Sequence, residues 1–189
     1  MVPLLGAGHR YWTGETVAKL LAPLLGPVHE KFLGDGGLYI WLPAEGQKVF
    51  DEFFPTKLCN ELWNIQMNYE RIRRKCVETI PVYELPHGIR FGLARGTIYE
   101  LTNKKTRERE YIGICINLAS RLHKYCSELN FIASARLGIP QTILDKHGYM
   151  KVIATRLKGF PKEIVIVDKN EYENLSPETK GDLFESLDI

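Results

Sequence analysis

The chain has 189 residues, a length typical of one ordinary domain that can bury a sizeable core. Hydrophobic residues make up 44% and charged residues 25%, which is the composition of a soluble globular protein. A net charge of +2 favours neither a nucleic-acid partner nor an acidic one, although a local basic patch can still bind phosphate.

The N-terminus carries no secretory signal, and the sequence contains no apolar run long enough to span a bilayer. We therefore expect no membrane span and a cytoplasmic location. None of the four cysteines forms a C-x-x-C pair, which argues against a zinc site. Cys115 and Cys126 lie in apolar or helical contexts and are predicted to be small core residues.

The first third of the chain predicts an irregular segment, a helix and a hairpin. Residues 1–14 are rich in glycine and proline, and residues 15–25 have apolar residues at helical spacing. Residues 29–42 predict two short strands around a tight turn at Gly34-Asp35-Gly36-Gly37, because Asp-Gly is a strong hairpin signal.

Residues 46–80 predict a long helix that is interrupted at Pro55. An apolar stripe along it is formed by Leu58, Leu62, Ile65 and either Met67 or Tyr69. The basic residues between positions 71 and 75 are interpreted as a solvated surface rather than a nucleic-acid site.

The remainder alternates between strands and helices. Residues 89–93 and 96–101 are predicted to be paired strands, and residues 102–109 are predicted to be an exposed polar connection. A helix at 116–125, a strand from 131, a short helix at 139–146 and strands at 152–157 and 163–167 are expected to follow. This alternation predicts an α/β or α+β class with a mixed sheet, with residues 169–189 as a C-terminal tail.

Two groups of residues suggest chemistry, and each has a plainer alternative. Asp35 stands at a glycine-flanked tip where a carboxylate can hold Mg²⁺, but the same residue can simply satisfy a turn. Asn117 and Arg121 are four residues apart, so one helix face presents both. They can contact a ribose and a triphosphate, or they can be a capping Asn and a solvated Arg.

Several motifs in the same order resemble the class III adenylate and guanylate cyclases. They are the run from Lys31 to Gly36 before an apolar strand, the run from Arg90 to Gly96, Tyr111-Ile112-Gly113, and the segment from Leu157 to Phe160. The block Ile116-Asn117-Leu118-Ala119-Ser120-Arg121-Leu122 is the most specific of them. The resemblance covers residues 15–168, which we define as the cyclase-like domain.

That resemblance implies a ferredoxin-like domain with a mixed central sheet and helices on its faces. It implies a lyase that forms a 3′,5′-cyclic nucleotide and pyrophosphate from a nucleoside triphosphate, in signal transduction. It also implies Mg²⁺ or Mn²⁺ and a homodimer, or a heterodimer with a cyclase-like chain.

The resemblance also implies roles for individual residues. Asp35 resembles the second of two metal-binding aspartates, and Lys31 resembles the position that contacts the purine, with Glu110 as its companion. Asn117 resembles the asparagine that orients the ribose, and Arg121 the arginine that stabilises the transition state. In that family one protomer supplies the metal carboxylates and the other supplies the Asn and Arg.

One departure from the family concerns its first metal aspartate, which lies on a strand before the first helix. Residues 1–12 contain no carboxylate, so that strand is missing or replaced. Three explanations of the missing aspartate stay open: the chain is a fragment of a longer cyclase, it is a degenerate non-catalytic partner, or it binds metal in an unusual way. We expect an inactive or weak enzyme. The identity of the nucleotide base also stays open, although the combination of Lys31 and Glu110 is more like the adenylate pattern than the guanylate one.

Overall fold

The computed structural model describes residues 29–32, 37–43, 53–79, 88–102, 104–105 and 107–187. These belong to two units, residues 1–89 and residues 90–189. No helix among the described residues is long and apolar enough to cross a membrane.

The first unit contains the predicted hairpin. Strand β1, His29–Phe32, pairs antiparallel with strand β2, Gly37–Ile40. Lys31 lies opposite Leu38 in this register. The pairing confirms the two strands, while the turn that contains Asp35 lies outside the described residues.

The first unit also contains helix α1, Phe54–Thr79, which is continuous. The interruption predicted at Pro55 stays a prediction, because residues 44–52 lie outside the described part of the chain. Pro55 is the second residue of the described helix. In the first turn the missing N–H of proline has no intrahelical partner to lose. Leu58, Leu62 and Ile65 are buried, which confirms this part of the apolar stripe. Met67 is 59% exposed and does not belong to the buried face.

The second unit is built on a mixed five-stranded sheet of β3 (Phe91–Leu93), β6 (Phe131–Ser134), β7 (Tyr149–Ala154), β8 (Glu163–Asp168) and β9 (Phe184–Glu185). Their order across the sheet is β3-β6-β8-β7-β9. Strand β3 runs parallel to β6, and the other neighbours pair antiparallel. The strands expected from residue 131 and at 163–167 are confirmed, whereas β7 begins three residues earlier than expected and ends at Ala154.

A separate two-stranded hairpin joins β3 to the next helix. Strand β4, Tyr99–Thr102, pairs antiparallel with β5, Arg109–Ile112. The expected pairing of residues 89–93 with residues 96–101 is therefore wrong, because β3 takes its partner from the distant β6.

Five helical segments complete the second unit, and the longest is α2, Ile114–Tyr125. The others are a 3₁₀ turn at Ala135–Leu137, then α3 (Gln141–Lys146), α4 (Lys169–Glu173) and α5 (Pro177–Leu183). Helices α2 and α3 confirm two predicted helices. The segment expected as a C-terminal tail contains α4, α5 and β9, and its Leu175 and Phe184 belong to the core.

Helix α2 packs closely on strand β3 because Gly92 has no side chain. Cys115, Leu118 and Leu122 form the buried face of the helix. A Cβ atom at Gly92 would collide with the carbonyl oxygen of Ala119 and lie 2.5 Å from the amide nitrogen of His123. Both are backbone atoms that cannot rotate away.

A Gly92→Ala substitution is expected to lower the free energy of unfolding by about 2 kcal/mol, since overpacking forces the backbone to shift. Gly181→Ala is the matched control, because a Cβ there has nothing within 4 Å. Urea unfolding followed by circular dichroism measures both. Equal stability of the two variants would contradict the close helix–strand contact.

Candidate functional site

The exposed side of α2 carries polar and basic side chains. Asn117, Arg121 and Lys124 follow one another at intervals of four and three residues, so they share one face of the helix. Asn117 and Lys124 are exposed and Arg121 is half-buried. This confirms that Asn117 and Arg121 share a face. Their nearness to a dimer surface stays a prediction.

A tight turn after β7 supplies two further cations. The amide of Phe160 donates a hydrogen bond of 2.8 Å to the carbonyl oxygen of Leu157, which closes the turn. Gly159 has a φ of 83°, a conformation that glycine adopts without strain. Lys158 thus lies at the tip of the turn, and Arg156 comes just before it.

The hydroxyl of Tyr125 forms hydrogen bonds that connect helix α2, the turn after β7 and the C-terminal segment. It donates to the carbonyl oxygen of Leu183 and accepts from the amides of Thr155, at 3.0 Å, and Arg156, at 3.4 Å. The hydroxyl of Thr155 also donates to the Leu183 carbonyl, at 3.2 Å. Three segments far apart in the sequence are therefore held at one place.

These segments line an open groove of about 440 Å³. We call it the cationic groove, because its charged lining residues are all basic. The complete lining is Asn117, Ser120, Arg121, Lys124, Tyr125, Arg156, Leu157, Lys158 and Leu183.

Most of the positive charge of the cationic groove is not neutralised by the ion pairs that the structure describes. Arg156 forms an ion pair with Asp182 at the edge of the groove. Among the residues that the structure describes, no carboxylate pairs with Arg121, Lys124 or Lys158. Several cations around one concave surface attract anions, and guanidinium groups match phosphate oxygens in bidentate fashion. The groove is suited to a ligand with several phosphate groups.

The other predicted site residues lie elsewhere. Lys31 is exposed on β1 in the first unit, and Glu110 is exposed on β5, opposite Leu101. Glu110 does not line the cationic groove. Asp35, the expected ligand of Mg²⁺ or Mn²⁺, lies outside the described residues. Within the described ranges no three His, Cys, Asp or Glu side chains are grouped to hold a metal ion.

Sequence reasoning missed Lys124, Arg156, Lys158 and Tyr125 as groove residues. Lys124 could have been predicted to line the groove, because it follows Arg121 by three positions and so shares its helix face. Arg156 lies near the end of the strand predicted at 152–157, and Lys158 follows that strand directly. No sequence pattern indicates the role of Tyr125, because its hydrogen-bond partners are 30 and 58 residues away along the chain.

Comparison with known proteins shows the fold. No protein family profile matches the sequence, and no curated protein matches it. The chain is similar in structure to the adenylyl cyclase CyaB from P. aeruginosa, with a TM-score of 0.59 and 17% sequence identity. The similarity covers 81% of this chain and 76% of that one. The mixed α/β architecture is therefore a cyclase fold.

Proposed function

We propose that the chain is a nucleotide cyclase domain that binds a nucleoside triphosphate, with its phosphates in the cationic groove. The observation that carries the proposal is that Asn117 and Arg121 line one groove together with Lys124, Arg156 and Lys158. A fold similar to that of an adenylyl cyclase supports it. The proposed enzyme class is a phosphorus–oxygen lyase.

In the proposed reaction the 3′-hydroxyl oxygen of the ribose attacks the α-phosphorus. A new bond forms between them, the bond from that phosphorus to the bridging oxygen of the β-phosphate breaks, and pyrophosphate leaves. The hydroxyl proton passes to solvent. Arg121 donates hydrogen bonds to the phosphate oxygens as charge develops on them, and Asn117 orients the ribose.

Lys31 and Glu110 are proposed to contact the base. Lysine donates hydrogen bonds to ring nitrogens or carbonyl oxygens, and a glutamate accepts one from an exocyclic amine. Asp35 is proposed to hold Mg²⁺ or Mn²⁺. A homodimer, or a heterodimer with a cyclase-like chain, would supply these groups from two protomers.

A second candidate function is a non-catalytic cyclase-homology domain that binds nucleotide or serves as a dimerisation partner. The absence of carboxylates between residues 1 and 12 favours it, since a two-metal reaction needs shared carboxylate ligands. Both functions require the groove to bind phosphate, and they differ in turnover.

Binding of phosphates tests the property that both candidates share. An Arg121→Ala variant is expected to bind ATP or pyrophosphate about 10- to 100-fold more weakly, because charge-assisted hydrogen bonds contribute roughly 1.5–3 kcal/mol. Isothermal titration calorimetry with the full chain measures the Kd. AMP should bind more weakly than ATP, since it brings fewer phosphate charges.

Lys146→Ala is the control variant, because it removes one positive charge from the exposed end of α3, outside the groove. We expect its Kd to stay within about twofold of the original, since screening weakens the effect of a distant surface charge. Equal losses in the two variants would show that only net charge matters. That result would remove the groove from the proposal.

A further inference from the structure

One residue of the cationic groove is engaged by a carboxylate of the chain itself. Arg156 lines the groove, and its guanidinium forms an ion pair with Asp182. Asp182 precedes Leu183, the residue with which α5 ends and which also lines the groove. The C-terminal segment therefore brings a negative charge to the edge of a surface that otherwise carries positive charge.

The position of Asp182 is not explained by the stability of its own helix. Asp182 is the penultimate residue of α5, where the carbonyl groups give the helix end a partial negative charge. A carboxylate is unfavourable there. Its favourable contact is the one with Arg156.

Little free energy is needed to break the ion pair between Arg156 and Asp182, so Arg156 can bind another anion instead. The side chain of Arg156 is 66% exposed and that of Asp182 is 48% exposed, and such pairs are weak in water. The backbone of Arg156 is fixed independently by its amide hydrogen bond to Tyr125, so the guanidinium can change partner without movement of the chain.

We infer that Asp182 is an intramolecular competitor for the phosphate ligand of the groove, and that Arg156 becomes a phosphate-binding residue when this ion pair opens. The inference rests on the proposed function, because it requires the groove to bind phosphate. Without ligand, Asp182 neutralises Arg156. A polyphosphate displaces the carboxylate and gains the guanidinium, so Asp182 lowers the affinity of the groove.

The probe for this inference is pyrophosphate, titrated into the full chain by isothermal calorimetry. Asp182→Asn is expected to tighten the Kd about three- to fivefold, since the exposed pair no longer has to be broken. The difference should shrink when the salt concentration is raised, because both charges are near solvent.

Glu185→Gln is the matched control. Glu185 is also 48% exposed and pairs with Lys162 at 2.6 Å, and neither residue lines the groove. This variant removes the same charge from the same segment. We expect it to change the Kd by less than about 1.5-fold, since screening limits the reach of an exposed charge.

A double-mutant cycle assigns the effect to the pair. In an Arg156→Gln background, Asp182→Asn should no longer tighten binding, because no guanidinium remains to be released. Tightening of equal size in both backgrounds would overturn the inference.

The outcomes separate the inference from the proposed function. If the original chain binds pyrophosphate and Asp182→Asn binds it equally well, the proposed function stands and the inference fails. If neither binds pyrophosphate, the groove is not a phosphate site and both fail.

Discussion

Supplied with Mn²⁺ and each of the four nucleoside triphosphates in turn, the purified chain is expected to form cyclic nucleotide about 10²–10³-fold more slowly than the adenylyl cyclase CyaB assayed beside it, or not at all. We expect a low rate because the sequence offers too few carboxylates to bind two metal ions. A reaction with two metal ions needs ligands that hold both ions close together. The sequence offers Asp35 at the expected place and no carboxylate in residues 1–12. Chromatography of the cyclic product measures the rate.

The same assay with Arg121→Ala distinguishes weak catalysis from none. Residual turnover that falls further in this variant would come from the proposed site, since Arg121 is expected to bind the phosphates and to stabilise the charge that develops on them during the reaction. Rapid turnover of the original chain would contradict the expected impairment, and another residue would then supply the second carboxylate. Phosphate binding without any turnover would favour the non-catalytic function.

The sequence predicted best those features that depend on neighbouring residues. The face shared by Asn117 and Arg121 follows from the helical repeat, and Leu118 and Leu122 fix which side of that helix is buried. The β1–β2 hairpin follows from its turn signal and β-rich flanks.

Features that depend on distant partners were harder to predict. The strand at Phe91–Leu93 was assigned the wrong partner because strand propensity does not say which strand pairs with which. The cationic groove combines α2, the turn after β7 and the end of α5, and the sequence alone does not bring these together. Likewise, Phe184 belongs to the core, where the rings of Tyr125 and Tyr172, both distant in sequence or in a different element, contact its ring edge-on.

Removal of a cation that faces a buried carboxylate should produce the largest loss of stability among these variants. Glu163 is 6% exposed and accepts hydrogen bonds from the hydroxyl of Ser134, at 2.6 Å, and from two nitrogens of Arg136, at 2.9 and 2.8 Å. The hydrogen bonds between Arg136 and the Glu163 carboxylate raise the pKa of the Arg136 guanidinium. We expect Arg136→Ala to lower the free energy of unfolding by about 3 kcal/mol, because it leaves a buried charge without its partner.

Arg156→Ala is the control for this prediction, because it also breaks an arginine–carboxylate pair. Its partner Asp182 is 48% exposed, so water can solvate the carboxylate that is left, and we expect a loss below about 1 kcal/mol. Adding Glu163→Gln to Arg136→Ala should recover part of the stability, since a neutral amide costs less to bury than a carboxylate. Chemical denaturation of the four proteins measures these differences. Similar losses in the two arginine variants, with no recovery in the double variant, would show that burial of Glu163 does not determine the strength of its pair.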